Sequence, residues 1–346
     1  MKIRCGCVLN LVTGEGKMDK DIIVKDGKID EISYIEGAIG QGDIDLSGLY
    51  ILPGFVDAHN HLCFDVGDEI QQIGEHLGYQ ALVGAKNARA ALLSGVTTVR
   101  DAGERGYVDF AVKRGINEGL IPGPRLLVAG PGIMRTGGHM WYMGEESDGV
   151  AEVRKTARRQ LKAGVDFVKI FISGGATSHL TGTITPEMTK EEIETMIYEA
   201  HAAGKKIGAH THGGKAATWA IEAGVDVVEH GCFLTEEQLL MMRECGTWLV
   251  VTSGIQRAIR DCAENSSFMR EKAGAAYANY LSVVRRAVEL GINLAVGNDT
   301  NHGCIAEEIV FLERAGMERR AALLTATLGG ASLCGIDGET GTLDIG

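Results

Sequence analysis

The chain has 346 residues, of which 45% are hydrophobic and 23% charged, and its formal net charge is −12. This length suffices to bury one large core. The acidic excess argues against nucleic acid and anionic membrane surfaces as partners. We expect no signal peptide, no membrane helix and no disulfide framework, because apolar runs are short and the eight cysteines are scattered. The expected location is the cytoplasm.

Residues 1–52 are predicted to form a small β-domain. The runs IRCGCVLNLV, DIIVKDGKIDEI and DIDLSGLYILP alternate or are apolar, and Gly, Asp and Asn separate them. The Asp-Gly pair in VKDGKI is the signal of a tight hairpin. Cys5 and Cys7 could form a metal pair, but two buried strand cysteines are the favoured interpretation.

Residues 53–335 have a different pattern, in which a unit of one strand followed by one helix repeats along the chain. The phrases LLSGVTTV, LKAGVDFV, IEAGVDVV and VELGINLA each end a helix at glycine shortly before the next strand. Eight such strands favour a (β/α)8 TIM barrel over an open sheet. The predicted strands are Phe55–Ala58, Thr97–Arg100, Arg125–Ala129, Asp166–Phe171, Lys206–Ala209, Val225–Glu229, Trp248–Val251 and Asn293–Val296.

The longest predicted connections are 131–149, 173–188 and 252–275, and each follows the carboxyl end of a strand. Active-site loops of such barrels lie at that end. We therefore expect these three segments to contact the substrate.

Metal-ligand candidates occur where short apolar strands end. His59 and His61 in GFVDAHNHL are spaced i, i+2, so both imidazoles point to one side of an extended strand. His210 and His212 in GAHTHGG repeat this spacing, and either could reach inward. Imidazole and carboxylate suit zinc, and a barrel mouth would bring distant residues together. The predicted ligands are His59, His61, Lys169, His210, His230 and Asp299.

Lys169 stands in the apolar run VDFVKIF, where an ammonium group would be a costly buried charge. Burial lowers the pKa of a lysine, and the neutral amine can react with carbon dioxide to form an anionic carbamate that bridges two cations. The alternative is an ion pair with a carboxylate such as Asp166 or Asp299. For Arg100 and Asp101, an internal ion pair is favoured over catalysis. His302 is close to Asp299 in sequence, but no motif supports a role for it.

The sequence resembles the amidohydrolase superfamily along nearly its whole length. The resemblance is carried by PGFVDAHNH, GVTTVRDAG, PGPRLLVAG, the GGHM segment around His139, VKIFISGG, AHTHG, VEHG and GNDT. It is greatest to the imidazolonepropionase-related branch, which contains zinc-dependent Xaa-Pro and Xaa-Arg dipeptidases and ochratoxin-type amidases. Imidazolonepropionases themselves use one metal without a bridging lysine, so VKIF argues against that activity.

The resemblance implies a binuclear site that activates a hydroxide for attack on an amide carbonyl. His59, His61 and Asp299 would hold one divalent metal, most readily zinc, and His210 and His230 the other. Carboxylated Lys169 would bridge the two, and Asp299 would also be the catalytic proton shuttle. His139 and His212 would then contact the substrate.

The resemblance also implies that residues 336–346 begin a return to a β-sandwich that the N-terminal segment starts. The chain stops at Gly346, inside a phrase that usually precedes further strands, and we expect it to be truncated relative to the natural protein. The expected substrate is a dipeptide or an N-acyl amino acid. Cyclic-amide hydrolysis or deamination, and a non-catalytic barrel scaffold, are the alternatives. A homo-oligomer is expected.

Overall fold

The computed structural model describes residues 1–178 and 180–346. Its N-terminal part is a four-stranded sheet of order β3-β2-β1-β4, in which β1 and β4 are parallel and the other pairs antiparallel. The predicted hairpin joins β2 to β3, and Asp26 and Gly27 both have positive φ, 51° and 76°. The strands are β1 (Lys2–Leu9), β2 (Gly16–Lys25), β3 (Lys28–Tyr34) and β4 (Ile44–Ile51).

The last residues of the chain lie against this sheet. Leu343 packs on an apolar cluster that includes Cys5, and Gly346 N donates to Ile29 O at 2.9 Å. Cys5 and Cys7 are buried in β1 as free thiols. The described residues contain no second sheet facing the first, so the β-sandwich stays a prediction.

The remaining strands are parallel, as predicted for an α/β fold. They form one sheet of order β5-β6-β7 and another of order β14-β13-β12-β11-β10-β8-β9. All eight predicted strands are present, and two strands of two residues each are added in the segment after β7. The strands are β5 (Phe55–Asn60), β6 (Val96–Asp101), β7 (Arg125–Val128), β8 (Ile133–Met134), β9 (Glu145–Glu146), β10 (Val168–Phe171), β11 (Ile207–Gly213), β12 (Val227–Phe233), β13 (Trp248–Val251) and β14 (Leu294–Val296).

The two parallel sheets meet where β5 passes the segment that follows β14. Asn60 and Asp299 form a parallel bridge, and Asp299 N donates to His59 O at 2.8 Å. This junction places two strand ends that are 239 residues apart in sequence, 60 and 299, beside each other. Closure of all eight strands into one barrel stays a prediction.

Helices separate the parallel strands and bury their apolar faces. In the repeated phrases, the glycine at each helix end has a positive φ, between 69° and 92°, which confirms the predicted helix ends. These glycines are Gly95, Gly164, Gly224 and Gly291. Among the described residues, no helix combines the length and apolar character that crossing a membrane requires. The helices are α1 (Glu69–Gly74), α2 (Leu77–Leu93), α3 (Val108–Asn117), α4 (Gly149–Ala163), α5 (Lys190–Ala202), α6 (Gly214–Glu222), α7 (Glu236–Cys245), α8 (Ser253–Asp261), α9 (Ser267–Leu290), α10 (Ile305–Arg314), α11 (Arg319–Leu324) and α12 (Gly330–Cys334).

Candidate active site

Five of the six predicted metal ligands form a tight cluster at the carboxyl ends of the strands. The ring centroids of His59 and His61 are 5.1 Å apart, those of His59 and His230 4.8 Å, and those of His210 and His230 4.6 Å. Asp299 Oδ2 lies 3.7 Å from His59 Nε2 and 3.9 Å from His230 Nδ1. Side chains from four different strand ends therefore converge on one point, as the sequence pattern predicted.

Two of these residues have unusual backbone conformations. His230 has φ 71° and Asp299 has φ 56°, in the left-handed region that residues with a Cβ rarely adopt. Such conformations cost about 1–3 kcal/mol each and collect at functional sites. The fold therefore holds His230 and Asp299 in strained backbone conformations, and these turn both side chains toward the cluster.

The hydrogen bonds and the lowered pKa values of the imidazoles suit neutral metal ligands. His61 Nδ1 lies 2.8 Å from Gly103 O, and His230 Nδ1 lies 2.7 Å from Thr252 Oγ1, so Nε2 of each ring is left for another partner. Burial and the nearby Lys169 charge lower the pKa of His61 to about 3, and burial lowers the pKa values of His59, His210 and His230 well below the usual value.

The surroundings of the His59 ring show whether a metal ion fits the cluster. Its ring is buried, yet neither ring nitrogen has a hydrogen-bond partner among the described residues. A buried polar atom without a partner is costly, and a cation between His59 Nε2, His61 and Asp299 would remove that cost. The nitrogen and oxygen donors of these three residues lie within 4.8 Å of one another. This donor set fits a zinc-like divalent ion.

Lys169, the sixth predicted ligand, is buried beside the cluster and contacts the carboxylate of Glu229. Burial is the main cause of its pKa lying well below the usual value, and the Arg100 charge adds to it. The suggested partner Asp166 is wrong, since it accepts from Lys113 Nζ at 2.6 Å instead. Asp299, the other suggestion, makes no ion pair with Lys169 among the described residues. Glu229 is the carboxylate that sequence reasoning missed.

Glu229 lies at the centre of a buried polar network. Arg100 Nη1 donates to Glu229 Oε1 at 2.8 Å, and Glu229 Oε2 lies 3.4 Å from His59 Nδ1. A carboxylate beside the second nitrogen of a ligand histidine fixes the orientation of its ring. The signal is present in VVEH, where Glu229 is a charged residue in an apolar strand, as Lys169 is in VDFVKIF.

The predicted internal ion pair is present for Arg100, whose partner is Glu229, but among the described residues Asp101 forms none. Neighbouring residues of a strand point to opposite faces, so Arg100 reaches Glu229 while Asp101 lies near His61 and Glu104. Burial raises the pKa values of both Asp101 and Glu104 well above normal. The donor atoms of these two acids and of His61 lie within 4.8 Å of one another, so they form a second group that could hold a metal ion.

Gly208 in β11 makes room for the Arg100–Glu229 pair. A Cβ at this position would lie 2.5 Å from Arg100 Nη2 and 2.7 Å from Glu229 Oε1, closer than real Cβ contacts. Because both neighbours are fixed by a buried ion pair, they cannot move without losing it.

We expect Gly208→Ala to lower the free energy of unfolding by about 1–3 kcal/mol, as overpacked cores do. Urea denaturation of the purified variant would measure the loss. Gly48→Ala is the matched control, because nothing lies within 4 Å of a Cβ there. Equal stability of both variants would show that the space at Gly208 is not needed.

Asp57 links the end of β5 to the segment that follows β14. Asp57 Oδ1 accepts from His59 N at 3.3 Å and from Asn298 N at 3.0 Å, while Oδ2 accepts from Asn60 Nδ2 at 2.7 Å. One buried carboxylate therefore fixes the backbone beside His59 and beside Asp299. The sequence placed Asp57 in a strand without suggesting this role.

Four members of the cluster, His61, His210, His230 and Asp299, line a partly open cavity. The three predicted substrate loops all contribute to its wall, although segment 252–275 contains α8 and the start of α9, and residue 179 of the second loop lies outside the described residues. The loop after β5 also contributes, which was not predicted. The lining residues are His61, Phe64, Glu69, His139, Met140, Phe171, Ala176, Thr177, His210, His212, His230, Ile255, Gln256, Ile259 and Asp299.

The two predicted substrate contacts, His139 and His212, both line this cavity. The His139 ring is 4.2 Å from that of His210, and its Nδ1 lies 3.0 Å from Thr177 Oγ1. His212 is stacked at 5.2 Å on His230, and its Nδ1 has no partner among the described residues. His302 is not among the lining residues, since its Nε2 binds Phe64 O at 2.9 Å.

Known proteins are similar to this chain over most of its length. The chain is 28% identical over 313 residues to ochratoxinase of Aspergillus niger, which covers 80% of this chain but only 64% of that enzyme. It is 27% identical over 337 residues to imidazolonepropionase of Symbiobacterium thermophilum, covering 88% and 74% of the two chains.

A solved structure resembles the whole chain. The structure of a Xaa-Pro dipeptidase with methionine bound in its active site matches with a TM-score of 0.91 at 28% identity, covering 100% of this chain and 91% of that one. The model of the amidohydrolase family matches residues 50–346. The protein therefore belongs to the amidohydrolase family.

Proposed function

We propose that the protein is a binuclear metal-dependent hydrolase that cleaves the amide bond of a dipeptide or an N-acyl amino acid. We place its site at the mouth of a closed (β/α)8 barrel. The observation that carries the proposal is the convergence of buried, neutral histidines and one carboxylate on a point where His59 Nε2 has no hydrogen-bond partner among the described residues. Similarity to an ochratoxinase and to a Xaa-Pro dipeptidase supports an amide substrate.

The ligands divide into two sets. His59, His61 and Asp299 would hold one zinc ion and His210 and His230 the second, with a carbamate on Lys169 between them. Two ions held in this way supply a hydroxide near neutral pH and polarise the scissile carbonyl. The five side chains offer more donors than the three protein ligands that one catalytic zinc ion takes, which supports two ions better than one.

The surroundings of Lys169 suit a carbamate. Only a neutral amine reacts with carbon dioxide, and burial lowers the pKa of Lys169 well below its usual value. The N–H that remains on a carbamate nitrogen can then donate to Glu229, which contacts Lys169 Nζ.

Asp299 is positioned to transfer a proton from the attacking water to the leaving group. Burial raises its pKa to about 7, so it can accept a proton from the attacking water and pass it to the leaving amine nitrogen. His139 and His212 would bind the substrate, and the apolar side chains Phe64, Phe171 and Ile255 exclude bulk water from the reacting groups.

The test is hydrolysis of a library of dipeptides and N-acyl amino acids by protein loaded with zinc in bicarbonate. We expect release of a free amino acid at a rate that a chelator abolishes and that added zinc restores. Cyclic amides and amino-purines or amino-pyrimidines belong in the same screen. Turnover of those compounds alone would favour the cyclic-amide hydrolase or deaminase, and no turnover of any compound would favour a scaffold.

A further inference from the structure

Glu69 is a buried carboxylate in the cavity wall that the proposed reaction does not use. It is the first residue of α1 and only 7% exposed, and its Oε2 accepts a hydrogen bond from Tyr142 Oη at 2.6 Å. Tyr142 comes from the loop after β8, which also carries His139. Two separate loops therefore bring Glu69 and Tyr142 together beside the metal-ligand cluster.

Local structure alone does not account for Glu69. The N-terminus of α1 is capped by Asp68, whose Oδ1 accepts from Gln71 N at 3.0 Å, so Glu69 is not needed as the cap. The attraction of a carboxylate to the helix dipole is available at an exposed position as well. Burial instead raises the pKa of Glu69 to about 7, a sign that the ionised form lacks compensation.

The cavity offers no positive side chain to balance that carboxylate. Among the described lining residues there is no lysine or arginine. The nearby Lys272 is engaged elsewhere, because its Nζ donates to Ser178 O and Thr181 O, each at 2.7 Å. Asp299 is the other anion of the lining and is assigned to the metals.

We propose that Glu69, held by Tyr142, binds a protonated amino group of the substrate and so makes the enzyme select cationic substrates. The ammonium group would be either the α-amino group of a dipeptide or the side chain of a lysine-like residue. A buried carboxylate that already has a hydrogen-bonded tyrosine is suited to a charge-assisted bond of this kind. This inference rests on the proposed function, since it names a feature of the substrate of that same site.

The test uses pairs of substrates that differ only in charge. A glycyl and a propionyl derivative of one amino acid have nearly the same shape, but the glycyl group has an ammonium where the propionyl group has a methyl. Propionyl-lysine and propionyl-2-aminoheptanoate form the second pair, with the charge on the side chain. The measured quantity is the ratio of kcat/KM within each pair for the zinc-loaded wild type and for Glu69→Gln.

We expect the wild type to prefer the charged member of one pair and Glu69→Gln to lower that ratio at least about tenfold, as loss of one charged hydrogen bond does. The pair that responds identifies which amino group is bound. Tyr142→Phe should lower the same ratio by a smaller factor and serves if Glu69→Gln fails to fold. Glu75→Gln, at an exposed position of the same segment, is the matched control and should leave both ratios unchanged.

Unchanged ratios in Glu69→Gln and Tyr142→Phe would overturn the inference, and so would an equal loss on all four substrates, which a purely structural role predicts. If the wild type hydrolyses none of them, the proposed function fails separately. Calorimetric binding of the same four compounds to the wild type and to Glu69→Gln then decides whether Glu69 selects the charged member.

Discussion

Lys169→Ala is expected to lose most of its bound metal and to lower kcat/KM by about a thousandfold. The removed side chain would supply the oxygens shared by two ions, and polarisation by such ions is worth several kcal/mol, or about one order of magnitude for each 1.4 kcal/mol. Metal analysis of the dialysed variant and amide hydrolysis assays measure the two effects. Lys155→Ala, on the exposed face of α4, is the control and should change neither.

The same variant separates two roles of Lys169. If the lysine is a carbamate, short carboxylic acids such as propionate should restore part of the activity, because they place two oxygens in the vacated space. If it is an ammonium group paired with Glu229, alkylamines should restore it and carboxylic acids should not. Rescue by amines alone, or full metal content without rescue, would contradict the carbamate.

Asp299→Asn is expected to retain metal yet lower kcat by about 10²–10⁴-fold, the usual worth of a general acid or base. Asparagine keeps the size of the side chain and one oxygen donor, but it does not accept a proton. The measurements are kcat and metal per chain on the same preparation. The exposed Asp337→Asn is the control.

Turnover of Asp299→Asn within about threefold of the wild type would remove Asp299 from the proton transfer. Loss of metal in parallel with turnover would instead assign it to metal binding alone. The ratio of turnover to bound metal is therefore the quantity that distinguishes the two roles.

The sequence predicted the ligand cluster because its signals are local. His61 follows an apolar strand directly, Asp299 comes soon after another, and the other histidines lie near the carboxyl ends of their strands. Parallel strands end on the same side of a sheet. The charge of Glu229 in the apolar strand VVEH is a signal of the same local kind. The partner of Arg100 has no local signal, because Glu229 lies 129 residues away in sequence.

Other features have no local signal. Strands β8 and β9 have only two residues each, too few for a periodic pattern. The contact between Glu69 and Tyr142 joins two loops that are 73 residues apart in sequence, and its existence depends on how both loops fold over the cavity. Asp57 likewise acts through backbone groups near residue 298, which a strand pattern does not reveal.

The central claim is a binuclear metal site, and metal content tests it most directly. The protein would be produced with zinc and bicarbonate, dialysed, and analysed for metal per chain by elemental analysis. The account predicts close to two equivalents. One equivalent would contradict the bridging lysine and favour a mononuclear deaminase or cyclic-amide hydrolase, and no metal after attempted reconstitution would contradict the metal-dependent mechanism altogether.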